Sequence, residues 1–202
     1  MEEQIRQAIN ILSRGGLVAF PTDTVYGLGA DCRNEAAIAR VYDAKRRPRH
    51  LALPVLLSDV SQMESVAEFV PEIARRLAER FLPGGLTLVL YKAPWVTSLL
   101  SGGGNKIAVR VPNHPIPIAL IQGVGAPITG TSANIAGSPS PVTAEEVRQQ
   151  MGNRVDLIID GGRCPGGKAS TVLDLTEKVP RILRQGAVSR GEIEEVCATP
   201  VM

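Results

Sequence analysis

The stretch Leu17-Val18-Ala19-Phe20-Pro21-Thr22-Asp23-Thr24-Val25-Tyr26-Gly27-Leu28-Gly29 decides how the chain is read. Leu17 to Phe20 is a short apolar run of the length and composition of a buried strand, and Pro21 ends it. Thr22-Asp23-Thr24 then forms a polar loop at the strand's carboxyl end, where hydroxyls and backbone amides can converge on a ligand. A plain Pro-Thr turn with an Asx-type cap is the alternative reading, because turns use Thr, Asp and Gly for their own reasons.

Upstream, Ile5, Ala8, Ile9 and Leu12 recur at helical spacing until Gly15-Gly16 stops them. Downstream, Asn34 is placed to cap a helix with Ile38, Val41 and Tyr42 on one face, which carries the basic end Lys45-Arg46-Arg47 into Pro48. Further strands are expected at 53–57, 86–91, 107–111, 127–130, 155–159, 171–175 and around 182–183, where β-branched and leucine runs meet Gly or Pro. Helices are expected over 71–81 and from Thr143 and Ser189, each of these last two followed three residues later by a glutamate as in a capping box. The pattern predicts a mixed α/β architecture.

A chain of 202 residues fits one domain spanning 1–202, since a single core can serve up to roughly 250 residues. Gly102-Gly103-Gly104 and Gly161-Gly162 read as turns, with no composition shift around them. Only 3% of residues are aromatic, which predicts an aliphatic core. A net charge of +2 is too small to mark a dedicated polyanion binder. Cys32, Cys164 and Cys197 are widely spaced and form no C-x-x-C pair, so reduced thiols and a cytoplasmic location are expected. The N-terminus is polar and no apolar run approaches 18 residues, which predicts neither export nor membrane insertion.

Several constellations can carry chemistry. Lys45, Arg46, Arg47 and Arg49 set four cations within five residues, suited to phosphate oxygens or, alternatively, to the carbonyl end of their own helix. Thr131-Ser132-Ala133-Asn134 follows a predicted strand and offers hydrogen-bond donors, or is a simple loop. Arg110 stands inside the apolar run Val109-Arg110-Val111, where it needs either an anion or solvent on an edge strand. Arg184 ends a similar run. His114, between Asn113 and Pro115, reads as structural. No G-x-x-x-x-G-K-[ST], G-x-S-x-G or H-E-x-x-H occurs, which disfavours a P-loop ATPase, a serine hydrolase and a zinc protease.

Taken in order, PTDTVYGLG (21–29), KRRP (45–48), FLPGGLTLVL (81–90), VRVPNHP (109–115), TSAN (131–134), STVLDL (170–175) and ILRQG (182–186) resemble the YrdC/TsaC family of threonylcarbamoyl-AMP synthases over most of the chain. The resemblance implies an open, twisted, largely parallel or mixed sheet with flanking helices around a concave cavity. It implies a reaction in which L-threonine, bicarbonate or CO2, and ATP with Mg2+ give threonylcarbamoyl-AMP and pyrophosphate, a first step of tRNA modification to N6-threonylcarbamoyladenosine. By the same matching, Thr24, Arg110, Ser132 and Ser170 would hold threonine; Lys45, Arg47, Asn134 and Arg184 would hold ATP, with Lys45 and Arg47 catalytic; and Thr22 and Tyr26 would shape the wall. No protein-only metal site is implied.

The resemblance is to the short form without an extra C-terminal domain, whose product would pass to a separate tRNA threonylcarbamoyl-transferase complex. Gly85, Leu56, Lys106 and Val142 depart from the family pattern. Two rivals remain: a double-stranded RNA, tRNA or ribosome-binding module of the same fold, and a carbamoyl-transfer module like that of hydrogenase maturation proteins.

Overall fold

The computed structural model describes residues 1–202. The chain runs through α1 (Glu2–Ser13), β1 (Val18–Phe20), β2 (Gly27–Gly29), α2 (Glu35–Lys45), β3 (Val55–Leu56), α3 (Met63–Val66), α4 (Glu72–Phe81), β4 (Leu86–Tyr91) and β5 (Lys106–Arg110). It continues through α5 (Pro115–Val124), β6 (Ile128–Thr129), β7 (Thr131–Ser132), α6 (Ala144–Met151), β8 (Leu157–Ile158), β9 (Thr171–Asp174), β10 (Arg181–Arg184) and α7 (Arg190–Cys197).

The strands form two mixed sheets, one ordered β7-β2-β1-β8 and the other β10-β9-β4-β5-β3-β6. The ladders β1–β8, β3–β5 and β4–β9 are parallel, while β1–β2, β2–β7, β3–β6, β4–β5 and β9–β10 are antiparallel. The α/β class therefore holds, and of the two expected sheet types the strands form the mixed one. The chain passes from one sheet to the other at Gly130, between β6 and β7.

Period-two alternation separates the faces of the larger sheet. Leu86, Leu88, Leu90, Ile107, Val109 and Leu173 point into the main aliphatic core, each 1% exposed or less. Thr87, Val89, Lys106, Ala108, Arg110 and Val172 alternate with them and line a cavity on the opposite face. A second core unites α1 and α5 through Ala8, Leu12, Leu120 and Ile121. Each such buried Leu or Ile contributes about 1.5–3 kcal/mol.

Local signals explain most boundaries. Asn34 caps α2 by accepting from the Ala37 amide, and Ser189 and Glu192 form a complete capping box on α7. On α6 only half of the expected box forms: Thr143 accepts from the Glu146 amide, but the Glu146 carboxylate takes the amide of Val142. Strand β2 escapes sequence reading because Gly-Leu-Gly has poor strand propensity. It forms because a Cβ at Gly27 or Gly29 would stand 2.9 or 2.7 Å from the Phe20 ring, so the bare backbone packs beneath that ring. Helix α5 is hidden behind Pro115, which is tolerated in a first turn. His114 caps it, its Nδ1 accepting from the Ile116 amide at 3.2 Å, and burial lowers its pKa against the opposing pull of Asp23. No helix is long and apolar enough to cross a membrane.

Candidate active site

The loop after β1 is a self-bonded turn. Thr22 Oγ1 accepts from the amides of Thr24 and Val25 and donates to the Val25 carbonyl at 2.7 Å. Because that proton is spent, Thr22 cannot donate across the 3.0 Å contact to the Thr24 hydroxyl. Thr24 therefore offers lone pairs to its surroundings. Arg110 fills one of them at 2.8 Å, while its other donors reach Asp23 at 2.6 Å and the Gly84 carbonyl at 2.8 Å.

Arg110 is only 5% exposed and sits on β5, between β4 and β3, so the alternative of a solvated edge strand does not hold. Burial pulls its pKa down and Asp23 pulls it back. Asp23 also accepts from the Asn113 amide. The 21–24 segment is thus a turn in geometry and an ion-pair partner in chemistry.

Helix α2 ends with Arg46 in the left-handed region, φ 51°, a conformation L-residues rarely adopt. This reversal sends consecutive cations to different places. Lys45, 2% exposed, donates to the Ser132 and Asn134 carbonyls and to Asn134 Oδ1 rather than to its own helix end. Burial pushes its pKa down to about 7, with the Arg47 charge adding to the effect. Arg47 faces the cavity and donates to the Leu51 and Ala52 carbonyls. Arg184, on edge strand β10, donates to the Ser170 carbonyl at 2.8 Å. Burial, then the charges of Arg110 and Arg47, lower its pKa. Arg47 thus leans on carbonyl dipoles and Arg184 on a carbonyl and the Ser170 hydroxyl, neither on a carboxylate, which leaves both charges free for an anion.

These groups border a cavity of about 580 Å³, a size that suits a small molecule or nucleotide. Thr24, Arg47, Arg110, Ser132, Ser170 and Arg184 line it. Lys45, Asn134, Thr22 and Tyr26 do not: they stand one layer behind. The Asn134 amide donates to the Ile135 and Ser138 carbonyls, and the Tyr26 hydroxyl donates to the Gly162 carbonyl at 2.8 Å. Burial pushes the Tyr26 hydroxyl up to about 12. The pocket-wall expectation for Thr22 and Tyr26 is therefore corrected, because their hydroxyls are turned into the scaffold.

The lining also includes His50, Thr87 and Lys106, which the motif reading did not assign to the site. Lys106 alternates with Arg110 along β5, a signal that was available in the sequence, and it pairs with Asp174 at 2.9 Å. No group of three His, Cys, Asp or Glu side chains is arranged to hold a metal ion.

Residues 10–186 match the family model Sua5_yciO_yrdC, described as "Telomere recombination". The chain belongs to this family. It is 45% identical over 195 residues to the threonylcarbamoyl-AMP synthase of Pyrococcus abyssi, and 42% over 196 residues to that of Bacillus subtilis. Each alignment covers 96% of this chain and 57% of the relative, so the chain spans little more than half the length of these proteins. The structure of P. abyssi Sua5 complexed with L-threonine superposes with a TM-score of 0.96 at 43% identity, covering all of this chain and 60% of that one.

Of the four positions where the resemblance is expected to break, Leu56 and Lys106 line the cavity, whereas Gly85 and Val142 do not. The Gly85 carbonyl accepts from the Thr171 amide, and the Val142 amide is taken by Glu146.

Proposed function

We propose that this chain is an L-threonylcarbamoyladenylate synthase, joining L-threonine, CO2 or bicarbonate, and ATP. The observation that carries the reading is a concave site with one arginine neutralised by a carboxylate, Arg110, and two arginines without one, Arg47 and Arg184. The relatives' names and the threonine complex of P. abyssi Sua5 support the same substrates.

On this reading the threonine amine attacks CO2, loses a proton and becomes N-carboxythreonine. A carboxylate oxygen of that new group then attacks the α-phosphorus of ATP, the bond to the β-phosphate bridging oxygen breaks, and pyrophosphate leaves with its electron pair. The chain's task is alignment and charge neutralisation. Thr24, Arg110, Ser132 and Ser170 hold the amino acid, and Arg47 and Arg184 meet the phosphates. Lys45 and Asn134 act on ATP across the turn they share with Ser132, Lys45 holding that turn by its carbonyls.

Asp23 and Asp174 are each spent on a cation, a donor set that fits Mg2+ carried in on the triphosphate rather than held by the protein. That ion would supply neutralising charge on the departing pyrophosphate. The product, a reactive mixed anhydride, requires a carbamoyl-transfer enzyme acting on tRNA as its consumer.

Pyrophosphate release, measured with ATP, magnesium and bicarbonate and with threonine present, omitted or replaced by serine, alanine or valine, tests the reading, with mass spectrometry for the adenylate. Threonine-dependent release together with that product supports it. Equal release without threonine overturns it.

A further inference from the structure

Thr87, on the central strand β4, is 1% exposed, and its hydroxyl has one hydrogen-bond partner, the Ser170 hydroxyl at 2.7 Å. Both side chains line the cavity. Ser170 Oγ also receives an N–H from Arg184 at 3.3 Å, and its backbone carbonyl receives two more from the same guanidinium.

Either direction of the Thr87–Ser170 bond leaves one hydroxyl proton without a protein partner, and burial points to which one. A hydroxyl has one proton and two lone pairs, and a guanidinium only donates. If Ser170 donated to Thr87, the proton left without a protein acceptor would be that of Thr87, the more deeply buried of the two side chains at 1% exposed against 6% for Ser170, which is the costlier arrangement. If Thr87 donates to Ser170, both lone pairs of Ser170 are filled, by Thr87 and by Arg184, and every proton but one is placed. The remaining one is the Ser170 proton, which has no other protein acceptor and lies at the cavity that Ser170 lines.

We infer that Thr87 is a positioning residue that fixes Ser170 as a hydrogen-bond donor toward an oxygen of the bound amino acid. The inference rests on the threonine-dependent reading above. It gives the two hydroxyls at the amino-acid end opposite polarities: Thr24 presents a lone pair and Ser170 a proton. A site built this way favours an acceptor at Ser170, such as a carboxylate or hydroxyl oxygen, and disfavours a bare methyl or an ammonium group there.

The test is a double-mutant cycle on threonine binding by calorimetry, using the wild type, Thr87→Val, Thr87→Ser, Ser170→Ala and the Val/Ala double variant, with ATP affinity and thermal midpoint measured on each. Thr87→Val keeps the volume and removes the donor, so threonine affinity should fall by about tenfold, the loss of one well-oriented hydrogen bond. ATP affinity should change far less. Thr87→Ser should restore threonine binding, and Thr87→Val should add little once Ser170 is alanine. Threonine binding unchanged in Thr87→Val, or losses that add fully in the double variant, would overturn the positioning role alone. A wild type that binds no threonine would sink the synthase reading and the positioning role with it.

Discussion

The Arg110 guanidinium meets the Asp23 carboxylate at 2.6 Å across 87 residues of chain, with both side chains largely shielded from water. Their pairing lets a full positive charge sit in the middle of a sheet. Removing one partner of such a pair leaves a buried uncompensated charge, which costs about 3 kcal/mol or more. Asp23→Ala is therefore expected to lower the unfolding free energy by about that amount in urea, and to raise the threonine concentration needed for turnover. Arg110→Ala should raise the threonine KM far more than the ATP KM. Equal rises for both substrates would reject the amino-acid-binding role of Arg110.

Arg47 and Arg184 present the complementary case, being cations held by carbonyl and hydroxyl oxygens with no carboxylate partner. Arg47→Ala and Arg184→Ala should each lower kcat/KM for ATP by more than about tenfold, roughly 1.4 kcal/mol of transition-state stabilisation. Arg47→Lys should recover only part of this, because an ammonium cannot hold the Leu51 and Ala52 carbonyls and still offer a planar fork to phosphate. Steady-state kinetics on the three variants decides the point, and wild-type rates in both alanine variants would remove these residues from the reaction.

Lys45 makes stability depend on pH in a definite direction. Its folded pKa of about 7 lies below the ordinary 10.5, so across that window the unfolded chain binds a proton that the folded chain lacks. Stability then rises with pH through the window and is lost as pH falls through the folded value. Urea midpoints at about pH 6.5 and pH 9.5, compared with those of Lys45→Met, should show the wild type gaining on the variant at the higher pH. Parallel curves would mean that the ammonium reaches water.

What the sequence reveals and hides follows from the range of each interaction. Strand β4 is legible from Leu86 to Tyr91 because leucines and a valine run between a Gly-Gly turn and polar residues, and α2 is legible from the Asn34 cap. These signals lie within a few residues of what they determine. The cavity's cations are legible as residue types but not as directions. Nothing local says that Arg46 adopts positive φ, so nothing local says that Lys45 turns beneath the Ser132 turn while Arg47 faces the cavity. Asp23 looks like an ordinary turn aspartate until β5 brings Arg110 to it, and Thr87 looks like a strand threonine until β9 brings the neighbouring Ser170.

Gly186, which closes the Ile182-Leu183-Arg184-Gln185-Gly186 segment, is required for steric reasons at the amino-acid end of the site. A Cβ there would run into the Ala169 carbonyl oxygen and stand 2.5 Å from the Ser170 carbonyl carbon. Both are backbone atoms that cannot swing aside as a flexible side chain can. The Gly186 amide in addition donates to Thr171 Oγ1 at 2.9 Å, which holds the turn against β9. Gly186→Ala must therefore push residues 169–170 away or break that bond, and either movement shifts the Ser170 hydroxyl relative to Thr87 and Arg184. Misplacement of this kind, by about an ångström, can cost on the order of a hundredfold in rate. Gly186→Ala is expected to weaken threonine binding and turnover together while leaving the far core formed by α1 and α5 intact. Amide hydrogen exchange should report this as faster exchange confined to β9 and β10. A variant with wild-type threonine affinity would show that the backbone at Ser170 yields without moving its hydroxyl.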